Sequence, residues 1–303
     1  MSSVIVFGPT GSVGSFVART AQENGATVFL AMRDTQKAIP GLTAEQEKVN
    51  RYKRVQADLT DPDSVAAAIK DSGAKRAFIY RAHTTKDHMR GTLTALKEAG
   101  VEFVVFLSSY TIVGEPRDVE PSDLIPFIHA QVEIALDEIF GPENYVALRP
   151  GGFATNLLRF KKGINDGAVD LLSSEFKLDC ITPGDMGAVG GNILVNGPRN
   201  GQRKVYLYGP QILGQAEAIQ AIGKVLGKSV TIGSQTEQEA LDGFVQAGIP
   251  KPVAEYMVKK LGTATAGEGR AHYNEGVQNV QLYTGKPSQS LEEWVGENKA
   301  LFA

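Results

Sequence analysis

The stretch Val4-Ile5-Val6-Phe7-Gly8-Pro9-Thr10-Gly11-Ser12-Val13-Gly14 decides the fold, because it joins an apolar run to a helical pattern through three spaced glycines. Gly8 allows a sharp turn, Gly11 lets the backbone approach a pyrophosphate, and Gly14 lets the new helix pack on a sheet. The helix predicted from Ser12 to Asn24 offers unpaired N–H groups and a positive dipole end to an anion. We therefore predict a dinucleotide site at this turn, with a purely structural turn as the alternative.

The second predicted strand, Thr27 to Met32, ends at Arg33-Asp34, at the position where such folds select between nicotinamide cofactors. A guanidinium suits a 2′-phosphate, whereas a carboxylate suits a free ribose hydroxyl. Lys37 lies four residues beyond Arg33 and adds a second cation. The pattern favours NADP(H), and an ordinary solvated Arg-Asp pair is the alternative.

Bulk properties exclude several classes of protein. The chain has 303 residues, a net charge of −3 and a pI near 5.9, so a general electrostatic grip on nucleic acid or an acidic membrane is not expected. We find no export signal and no membrane-spanning stretch. The single cysteine, Cys180, lies in an apolar run and is predicted to be a buried structural thiol. These features predict a cytoplasmic protein.

Short apolar runs alternate with helical patterns up to Pro150, which is typical of a parallel sheet covered by helices on both faces. Right-handed crossovers then predict an α/β, Rossmann-type, doubly wound order. The predicted strands are Val4 to Phe7, Thr27 to Met32, Tyr52 to Ala57, Arg76 to Tyr80, Glu102 to Leu107 and Tyr145 to Leu148. The predicted helices between the strands after Ala57 are Ser64 to Lys70, Lys86 to Glu98 and Pro121 to Phe140.

The alternation stops after Pro150, so we predict a domain at 1–150 that binds NADP(H) and a smaller, irregular α+β substrate lobe at 151–303. Thr263 to Gly269 is predicted to be a mobile loop. The other elements predicted in this half are helices at Phe153 to Lys162, Gln215 to Leu226 and within Glu237 to Leu261, strands at Lys204 to Tyr208 and Ser229 to Ile232, the segment Pro183 to Leu194, and a last helix that follows Ser290.

The order of motifs along the chain resembles the NmrA-like family of atypical short-chain dehydrogenase/reductases. The residues that carry the resemblance are the glycine turn, Arg33, Ala57-Asp58-Leu59, Phe106-Leu107-Ser108-Ser109, Arg149-Pro150-Gly151-Gly152-Phe153 with Asn156, Ile181-Thr182-Pro183-Gly184-Asp185-Met186-Gly187, and Thr284-Gly285-Lys286-Pro287. The resemblance implies a Rossmann-type domain, NADP(H) in the glycine turn and a C-terminal substrate lobe.

The resemblance also implies roles for single residues. Asp58 and Leu59 would lie near the adenine, and Phe153 and Asn156 would border the substrate. Residues at the ends of the fourth and fifth strands would face the nicotinamide. Strand-end position supports this on physical grounds, and Asp58 as a plain turn residue is the alternative. The predicted strand-end and cofactor residues are Arg81, Ser108, Ser109, Tyr110, His129, Pro150 and Phe153.

The Tyr-Lys pair of a typical short-chain dehydrogenase is not visible. In the helix that should carry it, Ile125 takes the Tyr place and His129 takes the Lys place. An imidazole can still exchange a proton near neutral pH, and Tyr110 is a second candidate donor. The alternatives are a structural histidine and a packing tyrosine.

Other polar groups give weaker signals. His83 and His88 have no partner in the sequence that completes a metal site, so we predict no metal. Glu133 and Glu138, with Asp137 between them, are predicted to form the solvated face of a helix rather than an acid–base pair. Ser108 and Ser109 show no partner for nucleophilic catalysis.

Three functions remain open at this stage. The chain is predicted to be an NADPH-dependent reductase of a small, mostly apolar enone, quinone or imine, with His129 or Tyr110 supplying the proton and Ser109 as a third candidate catalytic residue. A non-catalytic NADP(H) sensor or regulator is the first alternative, and a cofactor-dependent isomerase or cyclase is the second. A homodimer or a regulatory protein partner is left open.

Overall fold

The computed structural model describes residues 2–82, 85–262 and 270–303. Seven strands form one parallel sheet in the order β3-β2-β1-β4-β5-β6-β9, and two further sheets pair β10 with β8 and β11 with β7. The doubly wound Rossmann-type prediction is therefore confirmed. The strands are β1 (Ser3–Phe7), β2 (Thr27–Met32), β3 (Lys53–Gln56), β4 (Arg76–Tyr80), β5 (Phe103–Leu107), β6 (Tyr145–Pro150), β7 (Ala168–Leu171), β8 (Lys177–Leu178), β9 (Lys204–Leu207), β10 (Leu213–Gly214) and β11 (Thr231–Ser234).

The α-helices of the described residues are distributed over both compact units of the chain. They are α1 (Ser12–Glu23), α2 (Ala44–Val49), α3 (Pro62–Ser72), α4 (Arg90–Glu98), α5 (Leu124–Phe140), α6 (Lys161–Asp166), α7 (Pro183–Asn196), α8 (Gln215–Val225), α9 (Glu237–Gln246), α10 (Lys251–Leu261), α11 (Tyr273–Thr284) and α12 (Leu291–Glu297). Short 3₁₀ helices lie at Pro116–Asp118, Pro142–Asn144, Ala154–Phe160 and Lys299–Phe302. Within the described residues, no helix has the length and apolarity needed to cross a membrane.

The central strands are buried on both faces, which explains their continuous apolar sequences. Val4, Ile5 and Val6 of β1 are fully buried between β2 and β4. Because all seven strands run parallel, their carboxyl ends meet at one edge of the sheet, where ligands of such folds bind. This edge carries the residues that follow Phe7, Met32, Tyr80 and Leu107.

The chain divides into two compact units. Unit 1 comprises Met1–Pro150, Pro183–Leu207 and Gln278–Lys286, and unit 2 comprises Gly151–Thr182, Tyr208–Val277 and Pro287–Ala303. The sequence did not indicate that α7 and β9 belong with the main sheet. The division at residue 150 into a cofactor domain and a substrate domain stays a prediction.

Helix α7 packs closely on α1 within unit 1. A methyl group added at Gly187 would come within 2.2 Å of Phe16 Cβ, and one added at Gly191 within 2.6 Å of Thr20 Cβ. Small residues therefore let the two helices approach each other.

Unit 2 has its own apolar core, formed by α8, α12 and the 3₁₀ helix Ala154–Phe160, and a second small cluster between α9 and α10. Thr236 and Ser290 begin α9 and α12 with reciprocal capping boxes that involve Glu239 and Glu293. The predicted Ser290 cap is confirmed.

Several predicted boundaries were wrong. Helix α4 begins at Arg90 rather than Lys86, because the Asp87 carboxylate accepts hydrogen bonds from the N–H groups of Met89 and Gly91 and fixes a turn there. The predicted helix Phe153 to Lys162 is a 3₁₀ helix followed by α6. Helices α2 and α11 were not predicted. The predicted loop Thr263 to Gly269 lies outside the described residues, as does His83.

Candidate functional site

The glycine turn between β1 and α1 has the geometry of a phosphate cradle. Gly8 adopts a φ of 71°, which favours glycine, and its carbonyl accepts a hydrogen bond from Gly11 N–H at 3.0 Å. A methyl group at Gly14 would come within 2.3 Å of the Gly8 carbonyl oxygen, so this position requires glycine. Gly11 begins α1 without a side-chain cap, and the first turn holds no acidic residue. The N-terminus of α1 therefore fits an anionic ligand.

A groove of about 290 Å³ continues from this turn along the carboxyl ends of β1, β2 and β4 and the segment that follows β3. Its walls combine apolar side chains with a few polar groups, as expected of a nucleotide site. The lining residues are Phe7, Gly8, Thr10, Ala31, Met32, Arg33, Ala57, Asp58, Leu59, Thr60, Tyr80 and Ala82.

Arg33 and Asp34 take different positions at the end of β2. Arg33 lines the groove, whereas Asp34 does not. The Asp34 carboxylate instead accepts a hydrogen bond from the Gln36 N–H at 2.9 Å and caps the turn. The exposed guanidinium is thus the charged group that β2 presents to this groove.

The loop after β2 is held by Arg54 of β3, which sequence reasoning missed. Its guanidinium forms a two-point ion pair with Glu47, at 2.6 and 2.7 Å. The same group donates hydrogen bonds to the carbonyls of Thr35 and Lys37, at 2.5 and 2.9 Å. Arg54 lies 19 residues from Thr35 and 17 residues from Lys37 in the sequence, so no local pattern indicates these hydrogen bonds.

Tyr80 is a further groove residue. A methyl group added at Gly8 would come within 2.5 Å of Tyr80 Cε1, which places the ring against the glycine turn. Burial raises the pKa of Tyr80, and the charges of Arg33 and Asp58 act on it in opposite directions. The phenol therefore stays protonated at neutral pH.

Asp58 serves the turn that follows β3. Its Oδ1 accepts hydrogen bonds from the N–H and the hydroxyl of Thr60, at 2.9 and 2.8 Å. The residue also lines the groove beside Leu59. Lys37 lies on the exposed loop and is not among the groove-lining residues. Arg81 follows β4, and burial lowers the pKa of its guanidinium.

Ser109 and Tyr110, two of the predicted catalytic residues, lie in the loop that follows β5. The Ser108 N–H donates to the Leu148 carbonyl at 2.8 Å, and the Tyr110 N–H donates to the Pro150 carbonyl at 3.1 Å. Ser109 Oγ lies 2.8 Å from the Thr111 hydroxyl. These bonds fix the backbone of the loop against β6.

His129 is half-buried on α5. Its Nδ1 lies 2.9 Å from the carbonyl oxygen of Ile125, one turn earlier. A carbonyl can only accept, so Nδ1 carries the proton and Nε2 holds the lone pair of the neutral ring. The ring can therefore take up a proton at Nε2 and give it back.

A buried polar network connects the Ser108 loop to α5, β6 and β9. The Ser108 hydroxyl donates to Glu133 Oε1 at 2.5 Å, and Arg149 forms a two-point ion pair with the same carboxylate. Arg149 Nη1 also donates to Tyr206 Oη at 3.0 Å and to the Ile112 carbonyl at 3.1 Å. Burial by itself would lower the pKa of Arg149, but the hydrogen bonds and charge of Glu133 raise it.

The prediction of a solvated helix face was wrong for Glu133, which is fully buried. It is correct for Glu138, which forms exposed ion pairs with Arg90 and Arg117. The two positions could not be separated by helical spacing, because the partner Arg149 comes from a strand sixteen residues away.

Phe153 and Asn156 lie in unit 2. The turn that leads to them is held by Asp179, whose Oδ1 accepts hydrogen bonds from the Gly152 N–H at 2.9 Å and from Arg270 Nε at 3.1 Å. A methyl group at Gly151 would come within 2.2 Å of Asp179 Oδ2. Gly151 is therefore required by a buried carboxylate, whereas a methyl group at Gly152 would make only ordinary contacts, at 3.6 Å from Leu178 and 3.7 Å from Asp179.

Cys180 is buried, as predicted. Burial and the neighbouring carboxylate of Asp179 raise the pKa of its thiol to about 12. The thiol is therefore protonated at neutral pH and is not a nucleophile.

The fold and the glycine turn define a Rossmann-type α/β protein. A model of the NmrA-like family matches residues 1–295. The chain is 39% identical to the nitrogen metabolite regulation-like protein bik4 of Gibberella fujikuroi, over 97% of this chain and 95% of that protein. The chain belongs to the NmrA-like family.

Two further comparisons involve reductases. The chain is 26% identical to the (4-alkanoyl-5-oxo-2,5-dihydrofuran-3-yl)methyl phosphate reductase of Streptomyces griseus, over 99% of each chain. It superimposes on an NADPH-dependent quinone oxidoreductase from Escherichia coli, solved with NADPH, with a TM-score of 0.73 and 19% identity over 97% of this chain and 99% of that one. The similarity to the quinone oxidoreductase shows that the two chains share a fold.

Proposed function

We propose that this chain is an NADP(H)-dependent reductase of a small molecule. The observation that carries the proposal is the arrangement at the end of β2, where Arg33 lines the groove and Asp34 is turned into the loop. A guanidinium at this place recognises a 2′-phosphate. The reductase from Streptomyces griseus and the fold shared with a quinone oxidoreductase support the proposal.

The cofactor's pyrophosphate would bind the amides at the start of α1, and Arg33 would bind its 2′-phosphate. Asp58, Leu59 and Tyr80 would contact the adenosine. When bound, the nicotinamide supplies a hydride. The remaining predicted residues for the cofactor are Pro9, Thr10, Ser12, Val13, Lys37, Arg81, Ser108, His129, Pro150 and Phe153.

The residues of this chain would supply the proton. His129 can deliver one from Nε2 once its ring is charged, and Tyr110 can deliver one from its hydroxyl. The network of Glu133 and Arg149 keeps the Ser108 loop in one conformation, so the donor would not need to be reordered for each turnover. Quinones and imines need less acid catalysis than ketones, which suits a site without the Tyr-Lys pair. Phe153 and Asn156 would contact the substrate.

The experiment is stopped-flow measurement of NADPH consumption with a panel of quinones, enones and imines. We expect turnover by the wild type and a loss of at least about a hundredfold in the double variant His129→Ala/Tyr110→Phe, since general acid catalysis contributes about this much. His272→Asn replaces an exposed histidine of unit 2 and serves as the control, with unchanged turnover expected. An undiminished rate in the double variant would contradict the assigned donors.

The second candidate is a non-catalytic NADP(H)-dependent regulator that acts on a protein partner. It is favoured by the name of the 39% identical relative, a regulation-like protein, and by the missing Tyr-Lys pair. Tight NADPH binding without turnover on any compound of the panel would select this candidate. Conversion of a substrate without net consumption of NADPH would select the isomerase or cyclase alternative. The cytoplasmic location and a homodimer remain predictions.

A further inference from the structure

A seven-residue 3₁₀ helix, Ala154–Phe160, follows the glycine pair of unit 2. Such helices seldom exceed three or four residues, and with three residues per turn their side chains at i and i+3 lie above one another. Asn156 and Arg159 have this spacing and both are exposed. Phe153 caps the same helix three residues before Asn156. The helix therefore places Asn156 and Arg159 on one face, and Phe153 lies at its N-terminal cap.

The Arg159 guanidinium is held by aromatic rings and one amide. Its carbon Cζ lies 4.5 Å from the ring centre of Phe160 and 5.0 Å from that of Phe244 on α9. In the amide orientation that satisfies both of its groups, the buried Gln215 accepts a hydrogen bond from Arg159 Nη2 at 3.1 Å and donates to the Ser173 carbonyl at 3.2 Å. These contacts fix the position of the charge without neutralising it.

Arg159 is exposed, and it differs from the buried Arg149 and Arg270 because it has no carboxylate partner among the described residues. Arg149 is paired with Glu133, and Arg270 with Asp179. Arg159 forms no ion pair with any residue of 2–82, 85–262 or 270–303, and within these ranges its one hydrogen bond is the one to Gln215. A guanidinium has five N–H donors in a planar fork, so most of them are available to a ligand.

We propose that Arg159 binds an anionic group of the substrate, either a carboxylate or a phosphate monoester, and so extends the substrate site beyond Phe153 and Asn156. This proposal rests on the proposed function, and it deepens that function by naming the substrate class. The substrate is amphiphilic, with an apolar reducible part and an anionic end. A planar fork fits both anions through two parallel hydrogen bonds.

The net charge of the chain, −3, makes this local cation more important, because the overall field does not attract anions. The rings of Phe160 and Phe244 limit the freedom of the guanidinium, so less entropy is lost when an anion binds. A lysine at the same position would keep the charge but lose the two-point geometry.

The test measures dissociation constants by calorimetry with protein saturated with NADP⁺, so that no turnover occurs. The ligands are a naphthoquinone with a carboxyethyl side chain, its methyl ester, and the phosphate monoester of the matching hydroxyethyl compound. We expect the wild type to bind the anionic ligands roughly tenfold or more tightly than the ester. Arg159→Gln removes this preference and leaves ester and NADPH binding unchanged, while Arg159→Lys keeps part of it.

Arg51→Gln, a change at an exposed arginine of unit 1, is the matched control and keeps the full preference. Equal affinity of the wild type for acid and ester, failure of the anionic ligands to bind, or an equal loss for acid and ester in Arg159→Gln would overturn the proposal. A preference for only one of the anions identifies which of the two the site takes. If the wild type binds the anionic ligands more tightly than the ester but oxidises NADPH with none of the compounds, the anion site is supported and the reductase function is refuted.

Discussion

Glu133 in α5 and Arg149 in β6 form a two-point ion pair from which solvent is fully excluded, with Nη2 2.7 Å from Oε2 and Nε 3.1 Å from Oε1. Burying two charges costs several kcal/mol per ion, and the cost is offset here by hydrogen bonds from Ser108 and to Tyr206. The pair ties the loop after β5 to a helix and two strands.

Removal of one partner should therefore destabilise unit 1 strongly. We expect Glu133→Gln to lower the free energy of unfolding by about 3–5 kcal/mol, since a buried charge is left uncompensated. Urea unfolding followed by circular dichroism measures this. Glu138→Gln is the control, because its ion pairs are exposed and screened by solvent, so little stability depends on them. Equal effects of the two substitutions would contradict the role of burial.

Arg33→Ala should weaken NADPH binding by roughly 10- to 100-fold, because a charge-assisted hydrogen bond contributes about 1.5–3 kcal/mol. NADH lacks the 2′-phosphate, so its affinity should change little. Fluorescence titration with both coenzymes checks the difference. Lys37→Ala should have a smaller effect, since Lys37 does not line the groove. An equal loss for NADPH and NADH would show that Arg33 does not read the phosphate.

Gly151→Ala should destabilise unit 2 by about 1–3 kcal/mol, the usual cost of overpacking a buried site. The new methyl group would come within 2.2 Å of the Asp179 carboxylate, which is itself bonded to Arg270. Gly296→Ala in α12 is the matched control, because beyond its two chain neighbours and the backbone of its own helix no atom lies within 4 Å of the added methyl group. Thermal unfolding of both variants measures the difference. A neutral Gly151→Ala would mean that Asp179 can move.

The Cys180 thiol should resist alkylation in the folded protein. Burial raises its pKa to about 12, so the thiolate is scarce at pH 8. The contribution of this thiol to the free energy of unfolding is fully present below the unfolded pKa of about 8.5. It is lost as the pH rises toward 12, because the thiol ionises in the unfolded chain before it ionises in the folded protein. Labelling with iodoacetamide, with and without urea, gives the test. Rapid labelling of the folded protein at pH 8 would show that the thiol is accessible.

The main fold could be predicted because its signals are local. The apolar runs of β1, β2 and β4 and the glycines between β1 and α1 lie close together in sequence, and strand direction follows from the helices between them. Helix α11 has a weak apolar pattern, and β9 was recognised as a strand without its place in the main sheet. That place depends on pairing with β6, more than fifty residues away.

Those parts of the candidate site could be predicted whose function is indicated by residues that lie close together in the sequence. Arg33 and the glycine turn can be recognised from the residues next to them in the sequence. The roles of Glu133 and Arg149 become visible only when the fold brings the two residues into contact. Arg54 likewise supports the loop after β2 through contacts that skip many residues. Arg159 gave no signal in the sequence, because its significance lies in having no carboxylate partner among the residues that the structure describes.

The main sheet ends with β9, whose partner β6 is separated from it by the first segment of unit 2, Gly151–Thr182, and by α7. A ribosome releases β6 well before β9 and α7, so the growing chain carries an unpaired strand edge and a bare α1 surface for many codons. Unit 1, which contains the glycine turn, is complete only once residue 286 has left the ribosome. Nascent chains cut short after Pro150 are therefore expected to aggregate rather than accumulate as a folded nucleotide binder.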